Sequence, residues 1–219
     1  MSSMSSMSPV AMSPAAIVER IADAVVALPS GDPARVAIDG PPWSGLDLAA
    51  GIPEALLTRG RTAYVVDVRD FLRPASVRLE RGRDDPDAFY DDWIDIDGLR
   101  REVLEPLEAG GSRRILPSLW DVDRDRATRA AYVDVPPEGV VVVAGWFLLG
   151  RWLPFELTVH VALSAAARRR RVPAEDAARE LPAWERYDAE VSPASCADLV
   201  IRADDPVHPA LIDRTAERT

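Results

Sequence analysis

Residues Arg35–Leu48, RVAIDGPPWSGLDL, decide how the rest of the chain is read. An apolar run, a glycine-framed turn and the start of a helix follow one another, which is the outline of a phosphate-binding loop. In the pattern G-x-x-x-x-G-K-[ST] the glycines make the turn, the lysine reaches the β and γ phosphates, and the hydroxyl holds Mg²⁺. Gly40 and Gly45 have this spacing, with Trp43 and Ser44 between them, but Leu46 stands at the lysine position and Asp47 at the hydroxyl position. Asp47 also has a plainer reading, because aspartate is a favoured helix N-cap.

The chain around this loop is ordinary in length and composition. Its 219 residues suit one sizeable α/β domain, and no apolar run approaches the roughly 20 residues that span a bilayer. The formal net charge of -10 argues against a nucleic-acid binder, because affinity for phosphate backbones comes from clustered basic residues. A small-molecule partner is expected, with neither nucleic acid nor membrane involved and a homo-oligomer left open. The single cysteine, Cys196, allows no internal disulfide and fits a reducing, cytoplasmic compartment. All 26 basic residues are arginine, so no lysine anywhere in the chain can replace the missing one.

The order of segments predicts a doubly wound, mostly parallel sheet flanked by helices. Residues Met1 to Pro14, rich in Ser and Met, read as a disordered leader outside the fold. A single domain is expected over residues 15–212, with a tail at 213–219. Ile17, Ile21, Val25 and Leu28 lie on one helical face. RTAYVVD (Arg61–Asp67) reads as a strand covered on both faces, and VVVVA (Val140–Ala144), the most strand-like run, as a strand at the centre of the sheet. Between them, Val68–Tyr90 is a long polar segment, and residues 115–120 and 131–135 read as a short antiparallel pair around the charged turn DVDRDRATR. Later strands at 156–163 and 197–201 alternate with helices at 164–171 and 174–188. Ligands of such sheets sit beyond the carboxyl ends of the strands.

Several segments, in order, resemble the uridine kinase and nucleoside kinase branch of the P-loop NTPases over roughly Arg35 to Leu211. They are the loop GPPWSGLD, then VRDFLRP and RLERGRDDPDAFYDDWIDIDGLRREVLEPL, then VVVVAGWFL, ARRRR and ADLVIRADDPVHP. The resemblance implies ATP and Mg²⁺ as cofactors and a nucleoside-like substrate. It places Gly40, Trp43, Ser44 and Gly45 at the phosphate site, with Arg168, Arg169, Arg170 and Arg171 as the arginine lid. On the substrate side it places Arg69, Phe71, Arg81, Arg83 and Tyr90. The family's hydroxyl-activating aspartate falls on Arg69, with Asp70 one place later, and its acid before glycine falls on Ala144.

Three functions follow from this pattern. One is a pseudoenzyme that keeps a ligand pocket without efficient phosphoryl transfer. Another is an enzyme working without ATP, in which Asp39, Asp47 and Asp70 form an acid–base cluster at the former phosphate site. The third is an active nucleoside kinase that uses arginines in place of the lysine. On any of them Asp39 and Asp70 are expected to face one cleft, no metal-ligand set is assigned, and His160, alternating with apolar neighbours, reads as a satisfied core histidine.

Overall fold

In the computed structural model, which describes residues 8–218, seven strands form one sheet. They are β1 (Val10–Ala11), β2 (Ala34–Asp39), β3 (Ala63–Asp67), β4 (Val140–Gly145), β5 (Leu157–Ala162), β6 (Leu199–Arg202) and β7 (Ala210–Asp213). Their spatial order is β1-β7-β6-β5-β2-β4-β3. The five strands from β6 to β3 are parallel, while β7 and β1 add antiparallel at one edge.

The central strands are apolar at successive positions because both faces of the sheet are covered. Val140 and Val142 of β4 enter one apolar cluster and Val141 and Val143 the other, as the two-residue period of a strand requires. The first cluster is closed by helices α1 (Pro14–Val26) and α2 (Leu48–Leu57), through Ile17, Ile21, Val25, Ile52 and Leu56. The second is aromatic. Helices α3 (Pro86–Asp91) and α5 (Ala177–Val191) bring Phe89, Trp184 and Tyr187 onto Phe71, Trp93 and Phe147. Helix α4 (Ala165–Arg171), capped by Ser164, precedes α5.

Three expectations are corrected here. Residues 8–14 are not a leader: β1 pairs with β7 (Val10 with Leu211), and the Ser13 hydroxyl accepts the Ala16 N–H at 3.2 Å to cap α1, with Pro14 in its first turn. Met1 to Met7 lie outside the described residues. The edge strand β7 was not anticipated, because residues 203–209 contain two prolines and mask the short apolar run after them. The segment Val68–Tyr90 is not a plain loop, since it holds a 3-10 turn at Val68–Phe71 and helices at Ala75–Arg78 and Pro86–Asp91. The small antiparallel pair is present as Arg114–Ile115 with Val133–Asp134, and a second pair, Trp120–Asp121 with Arg126–Ala127, is nested inside it. Replacing Ser13 by Ala is expected to cost about 1 kcal/mol in urea unfolding, the usual worth of an N-cap; an unchanged midpoint would show that β1 alone holds this end.

Candidate functional site

The turn 40–47 runs from the carboxyl end of β2 to the start of α2, in the position the sequence implied. Gly45 has a left-handed backbone (φ +84°), and a Cβ on Gly40 would lie 2.8 Å from the Cβ of Val161, so both glycines are required by the path of the chain. Pro41 and Pro42 contribute no N–H to the turn. The Ser44 N–H donates to the Pro41 carbonyl at 2.9 Å, and the Leu46 N–H donates to the Ser44 hydroxyl at 3.3 Å. Asp47 caps α2, its carboxylate accepting the Ala50 N–H at 3.3 Å, while Leu46 packs against the cluster beneath α1 and α2.

This turn forms one wall of a cleft of about 420 Å³, whose other wall includes Asp67, Arg69, Ala144, Gly145 and Trp146. The charged residues lining it are Asp47, Asp67 and Arg69. Asp67 and Arg69 also line a second chamber of about 450 Å³, with Asp70, Trp120, Asp121, Val122, Asp123 and Thr128. Asp67 ends β3 and accepts the Arg69 N–H at 2.8 Å; Asp70 accepts the Ser118 hydroxyl at 3.0 Å. Burial raises the Asp70 carboxyl above its ordinary value against the lowering effect of Ser118, and the neighbouring Asp67 charge adds to the rise.

Asp39 is not in this cleft, which corrects the expectation that it shares one with Asp70. It is fully buried and accepts three hydrogen bonds: from the Leu148 N–H at 2.9 Å, the Tyr187 hydroxyl at 3.0 Å and His160 Nδ1 at 2.7 Å. The Tyr187 oxygen in turn accepts the Leu149 N–H at 3.0 Å. Burial first, and then the Asp39 charge, push the Tyr187 phenol far above its ordinary value, so it stays a donor. His160 is a satisfied core histidine.

The other candidates divide between the cleft and the body of the protein. Gly40, Ser44 and Gly45 line the cleft, but Trp43 turns toward α5. Its indole N–H donates to the Glu180 carboxylate at 2.6 Å, and its ring lies edge-on to Trp184. Burial raises the Glu180 carboxyl, opposed by this hydrogen bond and by Arg179. Of the arginine lid, Arg168 is buried in a bidentate pair with Asp188 and lies over the Trp184 ring. Arg169 faces Glu185 at 3.6 Å, and Arg170 is exposed. Arg171 donates to the carbonyls of Ser44, Ala203 and Asp204, each at 2.7 Å, fastening the turn to the segment after β6.

On the substrate side only Arg69 lines the cleft. Phe71 is core, Arg81 pairs with Asp92 at the surface, Arg83 is exposed, and Tyr90 is buried beneath Arg151 and Arg186. The residues missed from sequence are Asp67, Trp120, Asp121 and Thr128. Asp67 carried a usable signal as the last residue of a parallel strand, where ligands bind.

ATP and Mg²⁺ do not fit this residue set. The residue at the hydroxyl position is a carboxylate used as a helix cap, Leu46 is apolar, and Arg171 is committed to backbone carbonyls. Among the described residues no three His, Cys, Asp or Glu side chains come together as a metal-ligand set. Replacing Asp70 by Asn is expected to raise the melting temperature at pH 7. The wild type buries a charge there that the amide does not carry. Below about pH 3, under the ordinary carboxylate pKa, Asp70 is neutral whether folded or unfolded and the gain disappears. Equal shifts at both pH values would assign the effect to packing instead.

No protein-family model matches the sequence, and no curated protein matches it. Solved structures do. A protein described as a possible uridine kinase from Bacillus stearothermophilus aligns with a TM-score of 0.69 at 19% identity, covering 84% of this chain and 96% of its own. A candidate fructose transport system kinase from Silicibacter sp. TM1040 aligns at 0.61 and 23% identity, over 82% of this chain and 96% of its own. A D-glycerate 3-kinase from Cryptococcus neoformans aligns at 0.50 and 16% identity, over 80% of each chain. These neighbours share the mostly parallel sheet with flanking helices, and the chain has the fold of the P-loop, nucleoside-kinase-like proteins.

Proposed function

We propose that this protein is a kinase-fold pseudoenzyme that binds a small, nucleoside-like, polyhydroxylated ligand in the cleft of Asp67, Asp70 and Trp120 and does not transfer phosphate from ATP efficiently. The observation that carries the reading is the state of the loop. Asp47 sits at the helix start, where its carboxylate accepts the Ala50 N–H and puts a negative charge where a phosphate would lie, and neither Arg168 nor Arg171 takes the place of the lysine. The pairing of Arg168 with Asp188 and of Arg171 with carbonyls speaks against an arginine-based kinase. The paired carboxylates and the aromatic wall of the second chamber suit hydroxyl groups, which carboxylates accept and an indole face covers.

A second reading, acid–base chemistry on the ligand without ATP, is favoured by Asp70. Its raised carboxyl stands next to Asp67, and such a pair divides the roles of acid and base. Thermal unfolding separates these readings from an active kinase. A ligand at 100 times its dissociation constant adds about 2.7 kcal/mol of stability. Uridine is expected to raise the melting temperature and MgATP to leave it unchanged; a clear shift with MgATP would overturn the pseudoenzyme reading.

A further inference from the structure

The charged turn DVDRDRATR, which joins the strands of the small hairpin, alternates acids and arginines as though it neutralised itself. The structure arranges it otherwise. Asp121 pairs with Arg124 at 3.1 Å. Asp123 faces Arg69 at 3.6 Å, and Asp125 accepts the Ala75 N–H at 2.8 Å and the Trp120 indole at 3.0 Å. Each acid is engaged away from Arg126 and Arg129, which have no ion pair or side-chain hydrogen bond among the described residues.

Both of these arginines, with Arg124, line one hollow of about 430 Å³ that also includes Asp121 and Thr128. Asp121 and Thr128 line the second chamber of the cleft as well, so the hollow continues it at the end away from the phosphate loop. Arg129 has a left-handed backbone (φ +54°), a conformation that costs about 1–2 kcal/mol for a residue with a Cβ. The hollow holds two guanidiniums, Arg126 and Arg129, that no acid neutralises, beside the Asp121–Arg124 pair, and in a chain of net charge -10 two free cations in one hollow suit an anion. One guanidinium fork saturates a carboxylate, whereas two suit the double charge and three terminal oxygens of a phosphate monoester.

We propose that this corner is an anion subsite of the cleft and that the ligand is a sugar monophosphate. Its hydroxyls lie toward Asp67, Asp70 and Trp120, and its phosphate lies on Arg126 and Arg129. The inference rests on the reading of the cleft as a site for a polyhydroxylated ligand.

The test is calorimetry with ribose 5-phosphate, ribose and uridine on the full chain and on the double variant Arg126→Gln/Arg129→Gln, which leaves the Asp121–Arg124 pair in place. Ribose 5-phosphate is expected to bind the wild type at least tenfold more tightly than ribose. The variant is expected to lose that difference while keeping its affinity for uridine. Ribose 5-phosphate binding no tighter than ribose, or binding the variant as well as the wild type, would overturn the anion subsite. Uridine separates this failure from that of the wider reading. If uridine binds and ribose 5-phosphate does not, the subsite alone falls; if neither binds, both fall.

Discussion

Leu46→Lys combined with Asp47→Thr is expected to raise the affinity for MgATP by about four to five decades. A hydrogen bond to a charged group contributes about 1.5–3 kcal/mol. A carboxylate about 4 Å from a phosphate charge costs on the order of 4 kcal/mol at an effective dielectric of 20. Restoring the first and removing the second changes binding by about 5.5–7 kcal/mol, and each 1.4 kcal/mol is about tenfold. Threonine also caps helices, so α2 keeps its start when Asp47 releases the Ala50 N–H. Catalysis is expected to stay poor, because Ala144 supplies no acid and Arg69 is a cation at the two places where the resemblance to nucleoside kinases puts an acid and a base. Calorimetry on both proteins decides the matter. Tight binding of MgATP by the wild type would falsify the account of the loop, and no gain in the variant would make the Pro41–Pro42 backbone and the Arg171 clamp the obstruction.

Asp39→Ala is expected to destabilise the protein by about 3–5 kcal/mol, the range for removing one partner from a buried charged network. The change leaves the Leu148 N–H and the Tyr187 hydroxyl without an acceptor and His160 without its partner, all in the core. It also loosens three elements at once. Asp39 is at the root of the phosphate loop, Leu148 follows β4, and Tyr187 is on α5. Tyr187→Phe is expected to cost less, about 1–3 kcal/mol, because it orphans the Leu149 N–H but leaves Asp39 two donors. Urea unfolding measures both. A loss under about 1 kcal/mol for Asp39→Ala would return Asp39 to the list of functional carboxylates.

The architecture was legible in the sequence because burial on both faces leaves a simple mark. The runs at Val36–Ile38 and Val140–Val143 are apolar at every position, since each side of the sheet has its own cluster. The phosphate-loop frame was legible too, because the turn needs Gly40 and Gly45 at fixed spacing whatever chemistry the loop performs. Capping of α2 by Asp47 follows from a local preference and could be read in the same way.

The roles of the individual charges were decided only by the tertiary structure. Asp39 and Asp70 look alike in sequence, each following an apolar strand, yet one is sealed under three donors and the other opens on a chamber. The four arginines of α4 form one run, but the helix turns them to different surroundings. Arg168 meets Asp188, Arg169 faces Glu185 and Arg171 reaches the carbonyl of Ser44. In the hairpin, Asp125 finds Ala75 and Trp120 rather than the arginines beside it. A side chain's partners come from whichever elements the fold brings within hydrogen-bond reach, and for Asp39 and Tyr187 the two partners lie 148 residues apart along the chain. Sequence spacing reports the backbone path and the apolar faces, whereas the electrostatics of the cleft depend on distances that only the packed sheet and helices set.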